Sequence, residues 1–208
     1  MSDATATMPE PAYPIRVEID YPERLSRLLI FVKWLLALPH YIVLLGYGIV
    51  VWFCAIGAFF LILFTGNVPR DLWDFILGYD RWSLRVQAYV GLLTDEYPPF
   101  TNQPVDYPAR LECEPPESLS RGLIFVKWLF VIPHWIVLIF YGIAVLIVSI
   151  FAWFAILFTG AYPRGLFDFV VGFVRWEMRV VVYSGSVSSY NPYIGGLLRD
   201  EYPPFSNK

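Results

Sequence analysis

Two uncharged stretches limit what this chain can become. Residues 28–65 and 122–159 each carry one charge only, Lys33 in the first and Lys127 in the second. A straight bilayer crossing takes about 20 apolar residues, and each stretch holds roughly twice that number. That is too long for one perpendicular span and just enough for two minimal spans joined by a tight turn. The composition agrees: of 208 residues, 57% are apolar, 19% aromatic and only 16% charged, well off the mix of a soluble domain. A disordered chain is ruled out, and lipid is the expected solvent. With a net charge of -3 and a pI near 5.4 the chain lacks the basic field that nucleic acid requires, so no nucleic acid partner is expected.

The chain is also a tandem duplication. An offset of 94 aligns residues 13–89 with 107–183 without a gap, and about 44 of the 77 pairs are identical. Shared landmarks include Leu25-Ser26-Arg27 with Leu119-Ser120-Arg121, LIFVKWL at 29–35 and 123–129, and Pro39-His40 with Pro133-His134. Phe64-Thr65-Gly66 likewise matches Phe158-Thr159-Gly160, and each copy closes on DEYPPF, at 95–100 and 200–205. The expected organisation is a disordered tail over 1–12, a first repeat over 13–106, and a second over 107–208 with an insertion near 184–196. The tail has neither the basic start nor the apolar core of a secretory signal peptide.

Each repeat opens on alternation, at 15–20 and 109–114, the period-two pattern of half-buried strands that can pair with each other. If each long stretch crosses twice, turning near Gly46-Tyr47-Gly48 and Phe140-Tyr141-Gly142, every arginine falls on one side and no charge on the other, as the positive-inside rule wants. A single crossing would invert two alike copies and leave that rule without purchase. After each stretch a proline-started segment, 69–93 and 163–183, reads as a helix. Phe167, Val170, Val174 and Met178 recur on one of its faces and Asp168, Arg175 and Arg179 on another. With Trp73, Tyr79, Trp82 and Tyr89 in the other copy, this suits the boundary between water and lipid. The expected fold is therefore an all-α integral membrane protein of tandem helical hairpins. It has four transmembrane helices, an interfacial amphipathic helix after each hairpin, and both termini cytoplasmic. The rival lays 24–38 in the headgroups, stops it at Pro39, and runs one longer span over 40–65.

The set LSR, FVKWL, PH, FTG..PR, RW..R and EYPPF, present in each half, resembles the domain of unknown function 4389 family of bacterial membrane proteins over nearly the whole chain. The resemblance implies a multi-pass protein of the bacterial inner membrane with no assigned activity. The insertion near 184–196 is the visible departure.

Charge inside an apolar span marks a functional candidate by default. Lys33 and Lys127, however, sit only roughly 13 Å deep, where a four-carbon stem can return the ammonium to the headgroups beside Trp34 or Trp128. Binding of an anion or lipid phosphate with neighbouring arginines is the alternative. His40 and His134 are the only histidines, and each follows a proline. A structural place at a helix kink is expected, the ring bonded to a carbonyl or water. The alternatives are a proton relay, or ligation of haem iron or a bacteriochlorophyll magnesium by imidazoles facing each other or singly. No other cofactor is expected, and no metal site: two histidines without Cys, Asp or Glu nearby are too few. Cys54 and Cys113 show no paired spacing.

Arg81 with Arg85, and Arg175 with Arg179, lie one turn apart. They fit either a clamp on anionic lipid or a network with Asp74 and Asp168 that pins the helix. The EYPPF segments favour an extended, polyproline-like chain that docks on a partner or in a groove of its own repeat. No nucleophile beside a base, phosphate-cradling glycine loop or close carboxylate pair inside an apolar pocket is evident, so no enzymatic activity is expected. The expected function is an accessory or scaffold subunit working with membrane lipids, other membrane subunits or its own copies. Alternatives are a pigment- or haem-carrying subunit of an electron-transfer or photosynthetic complex, and a small channel or carrier using Lys33 and Lys127.

Overall fold

A computed structural model describes residues 13–184 and 199–207. The expected tail over 1–12 and nearly all of the insertion near 184–196 lie outside the described residues. The alternating segments form β1 (Ile15–Ile19) and β2 (Ala109–Cys113), which pair antiparallel with Ile15 opposite Cys113 and Ile19 opposite Ala109. Alternation puts Ile15, Val17, Ile19, Ala109, Leu111 and Cys113 on the buried face, while Arg16, Glu18 and Glu112 point outward and are exposed.

The long stretches do not fold back. Helix α1 (Leu29–Leu36) runs into α2 (Leu38–Thr65) through Ala37, whose backbone is itself helical at φ -79 and ψ -14 and accepts the Tyr41 N–H at 3.0 Å. Together they make one rod, Leu29–Thr65, of 37 residues. In the second repeat a 3-10 turn (Leu123–Phe125) leads into α4 (Lys127–Thr159), 33 residues with Pro133 inside. The four-helix hairpin expectation is thereby corrected, because Gly46-Tyr47-Gly48 lies inside α2 and Phe140-Tyr141-Gly142 inside α4. Glycine inside a helix costs about 1 kcal/mol. Breaking the helix amid apolar side chains would orphan four N–H and four C=O groups with nothing nearby to receive them, which costs more. Both rods stop instead at left-handed glycines, Gly66 (φ 76) and Gly160 (φ 73).

Helices α3 (Arg70–Val90) and α5 (Arg164–Ser184) follow, and they are buried within the protein rather than bare on its surface. Trp73, Tyr79, Trp82 and Tyr89 are all buried, since both helices form a middle layer. Antiparallel to the α1–α2 rod, α3 meets it at three rungs seven residues apart: the Tyr47 hydroxyl donates to the Phe75 carbonyl, Trp82 reaches His40, and Lys33 of α1 lies over the Tyr89 ring. From its other side Arg81 Nε donates to Leu111 O of β2 at 3.2 Å, and Arg175 Nε of α5 donates to Val17 O of β1 at 3.1 Å. Arg81 and Arg175 of the polar stripes thus face strand backbone.

The repeats interlock. Leu25 N–H donates to Gly160 O (2.8 Å), and Leu119 N–H donates to Gly66 O (2.7 Å). Phe31 meets Trp153 and Phe59 meets Phe125 edge-on. The start of α1–α2 therefore lies beside the end of α4 and the reverse, giving two antiparallel rods related by a pseudo-twofold axis that passes through the β1–β2 pair. Where α3 approaches α5 the symmetry is broken: Ser83 and Gln87 correspond to Glu177 and Val181, and Gln87 Nε2 donates to Glu177 Oε2 at 2.8 Å in the interior. Of α2, His40, Leu44, Gly48, Val51, Ala55, Ala58 and Ile62 are buried against the protein, with Tyr41, Tyr47, Cys54, Phe59 and Leu63 half-buried beside them. The rest is bare apolar surface from Leu28 (78% exposed) to Phe64 (72%), and α4 repeats it from Phe125 to Phe158.

Candidate functional site

The two lysines do not snorkel. Lys33 is 1% exposed, and its Nζ lies 2.8 Å from Asp95 Oδ1 and donates to Thr94 O at 2.7 Å. Lys127, equally buried, does the same with Asp200 Oδ1 (2.8 Å) and Arg199 O (2.6 Å). The partner is the first residue of DEYPPF, which returns over the start of the rod. The other oxygen of Asp95 accepts the Ser26 N–H, and that of Asp200 accepts the Ser120 N–H. Trp34 and Trp128 turn their indole N–H groups back to Phe31 O and Phe125 O, so neither tryptophan is available to anchor a lysine.

Two helical turns further along each rod, the rest of DEYPPF closes over the histidines. Phe100 stacks on His40 at 3.9 Å between centroids and Tyr97 leans on the same ring at 4.9 Å. Phe205 and Tyr202 treat His134 alike. The Tyr97 hydroxyl donates to Leu36 O and the Tyr202 hydroxyl to Phe130 O. The expected self-packing of EYPPF is what the geometry contains.

Each histidine is fully buried, and its Nδ1 accepts the indole N–H of its own repeat's tryptophan, Trp82 at 3.1 Å and Trp176 at 3.0 Å. The imidazoles do not face each other. Because an indole N–H only donates, Nδ1 must carry the lone pair and Nε2 the proton; no partner for Nε2 is present in either copy. Ligation of iron or magnesium needs a free lone pair, and here one nitrogen is occupied and the other protonated. Among the described residues no three His, Cys, Asp or Glu gather into a metal-binding group.

The arginine stripes are also turned inward. Arg81 and Arg175 hold strand carbonyls, Arg85 Nη2 donates to Gln103 O at 2.9 Å, and Arg179 reaches Ser206 O and the Tyr13 ring. The network with Asp74 and Asp168 exists only at the helix starts, as exposed Arg70–Asp74 and Arg164–Asp168 pairs. Burial pushes the Asp80 carboxyl in the middle layer up to about 7 and the Cys113 thiol up to about 12, which leaves that thiol a weak nucleophile. A cleft of about 590 Å³ between the end of α3 and the middle of α4 is lined mostly by apolar side chains, Val90, Leu92, Val145, Trp153 and Phe173, together with Ser149.

A family described as a domain of unknown function (DUF4389) matches residues 27–102 and again 121–194. The chain belongs to the DUF4389 family. No curated protein and no solved structure matches it. Both family segments begin at the arginine of LSR, so the DUF4389 unit contains the lysine and histidine positions of each copy, and in the first copy it also contains the partners Asp95, Tyr97 and Phe100. Sequence reasoning missed those partners. A signal was there: the lysine and the Asp of DEYPPF are both kept in the two copies, as are His and the Trp of RW..R.

Proposed function

We propose that this DUF4389 chain is a non-enzymatic scaffold of the bacterial inner membrane, which holds to lipid and to neighbouring membrane subunits through its rods while its polar side meets water. The observation that carries this reading is the uncovered apolar surface of α1–α2 and α4, far larger than soluble monomers tolerate. It is supported by the chemistry within, where the buried ammonium, imidazole and guanidinium groups described above hold the chain's own carboxylates, rings and carbonyls. Fractionation of cells making the full chain tests it: the protein is expected to stay in membranes through an alkaline carbonate wash and to leave them in mild detergent with a stoichiometric companion or as its own oligomer. Recovery from the soluble fraction would remove the membrane part of the proposal, and a monomer free of lipid and partners the scaffold part.

A further inference from the structure

Three features of the rods bear on how they meet lipid. The first is length. At 1.5 Å per residue the 37-residue rod is about 55 Å long and α4 about 50 Å, against roughly 30 Å of hydrocarbon. Apolar side chains are bare at both extremes, Leu28 and Phe64 on one rod, Phe125 and Phe158 on the other. To hide both ends of a 55 Å rod in 30 Å of hydrocarbon takes a tilt of about 57°, beyond the 0 to 40° of spanning helices.

The second is symmetry. The rods are antiparallel, with the C-terminal glycine of each, Gly66 or Gly160, hydrogen-bonded to the segment that leads into the other, at Leu119 or Leu25. Their pseudo-twofold axis therefore passes midway along both, and the β1–β2 pair lies on it. If the rods crossed a bilayer, that axis would lie in the membrane plane at mid-depth and hold Arg16, Glu18 and Glu112 at the level where charge is least tolerated.

The third is layering. The outward face of the sheet is charged, α3 and α5 form the middle, and the rods lie on the far side with no charged residue over 34–65 or 128–159. Polarity thus runs in one direction across the molecule, perpendicular to the rods. A helix is about 10 to 12 Å thick, which fits in one leaflet's share, roughly 15 Å, of the hydrocarbon.

From these features we infer that α1–α2 and α4 lie flat in a single leaflet, so that the protein enters the bilayer from one side without crossing it and its sheet stands in water on that side. This rests on the membrane reading above and specifies its geometry. The occupant of the apolar face is the acyl region of one leaflet, since the bare surface is charge-free along two rods of about 50 Å.

The test uses the full chain in sealed membrane vesicles of both orientations, with Glu23→Cys before α1 and Arg70→Cys after α2, two exposed positions at opposite ends of the rod. A membrane-impermeant maleimide is the probe, and the native chain, with Cys113 buried and Cys54 half-buried, is the background. Both cysteines are expected to label from the same side and neither from the other. Labelling of Glu23→Cys and Arg70→Cys from opposite sides would overturn flat insertion while leaving the membrane reading standing, and a chain absent from the vesicles would overturn both. Spin labels at Ile42→Cys, Phe53→Cys and Phe64→Cys give a second measure that does not depend on sidedness. Flat insertion places the three at one depth, whereas a perpendicular span spreads them over about 33 Å.

Discussion

Replacing Lys33 with Met tests the buried ion pair most directly. Met keeps most of the stem and fills most of the same space, so the loss is electrostatic. The ammonium makes a 2.8 Å contact with Asp95 and a 2.7 Å bond to Thr94 O; a hydrogen bond to a charged group contributes about 1.5 to 3 kcal/mol. Removing one partner of a fully buried pair costs about 3 to 5 kcal/mol because the other charge is stranded. Here Asp95 is 25% exposed and keeps the Ser26 N–H, so water relieves part of that penalty. A loss of about 2 to 3 kcal/mol is expected, equivalent to a fall in Tm of roughly 5 to 10 °C for a chain of this size. Thermal unfolding in detergent micelles measures it. The Lys33→Met, Asp95→Asn double variant is expected to lose about 1 to 2 kcal/mol less than the two single changes summed, since the residues are in direct contact. A Lys33→Met chain within about 0.5 kcal/mol of the native one, the usual range of surface substitutions, with Lys33 open to a hydrophilic amine reagent, would refute the buried pair and reinstate a lysine that reaches the headgroups.

Trp82→Phe removes the donor to His40 Nδ1 and is expected to cost about 2 kcal/mol; ¹⁵N spectra of histidine should show the Nδ1 resonance move, and an unchanged resonance would count against the bond. Gly160→Ala forces a side chain into φ 73 and within 3.4 Å of Arg27 Nε, at about 1 to 2 kcal/mol, whereas Gly57→Ala meets open space and should be neutral or stabilising in the same melts. Asp80 is held protonated by burial, with its folded value raised to about 7 from 3.8. The folded chain keeps a proton that the unfolded chain loses, so stability should fall as pH rises from about 4 to about 7 and then level off, by on the order of 4 kcal/mol. Asp80→Asn should flatten that window and melt higher than the native chain at pH 8; an unchanged slope would place the pH dependence elsewhere. Cys113, buried with its thiol raised to about 12, should resist hydrophilic thiol reagents until the protein unfolds.

Local pattern made several elements legible. The alternation at 15–20 and 109–114 gave both strands and their pairing, and Pro69 and Pro163 marked the starts of α3 and α5 to within a residue. What failed was whatever depends on contacts between distant segments. Gly46 and Gly48 read as a turn because a wholly apolar run carries no charge or cap to mark its ends, and length alone suits one long rod as well as two short ones. The amphipathic face of α5 was legible, but its polar side has two possible audiences, water or the carbonyls of β1, and only the fold selects the second. Lys33 was judged by its depth in its own helix, while what holds it is Asp95, 62 positions later, where the chain returns over the rod.

The exchange of contacts between the halves has a consequence for how the protein is made. The carbonyl that receives the Leu25 N–H belongs to Gly160, and the surface that covers β1 belongs to β2 and α5. A nascent chain that has emerged only to residue 106 carries a greasy rod and an unmatched strand edge, and nothing translated so far can complete them. The interval between the two halves on the ribosome is thus the stage at which aggregation competes with folding. The growing polypeptide has to keep its first rod sheltered until its own second copy arrives.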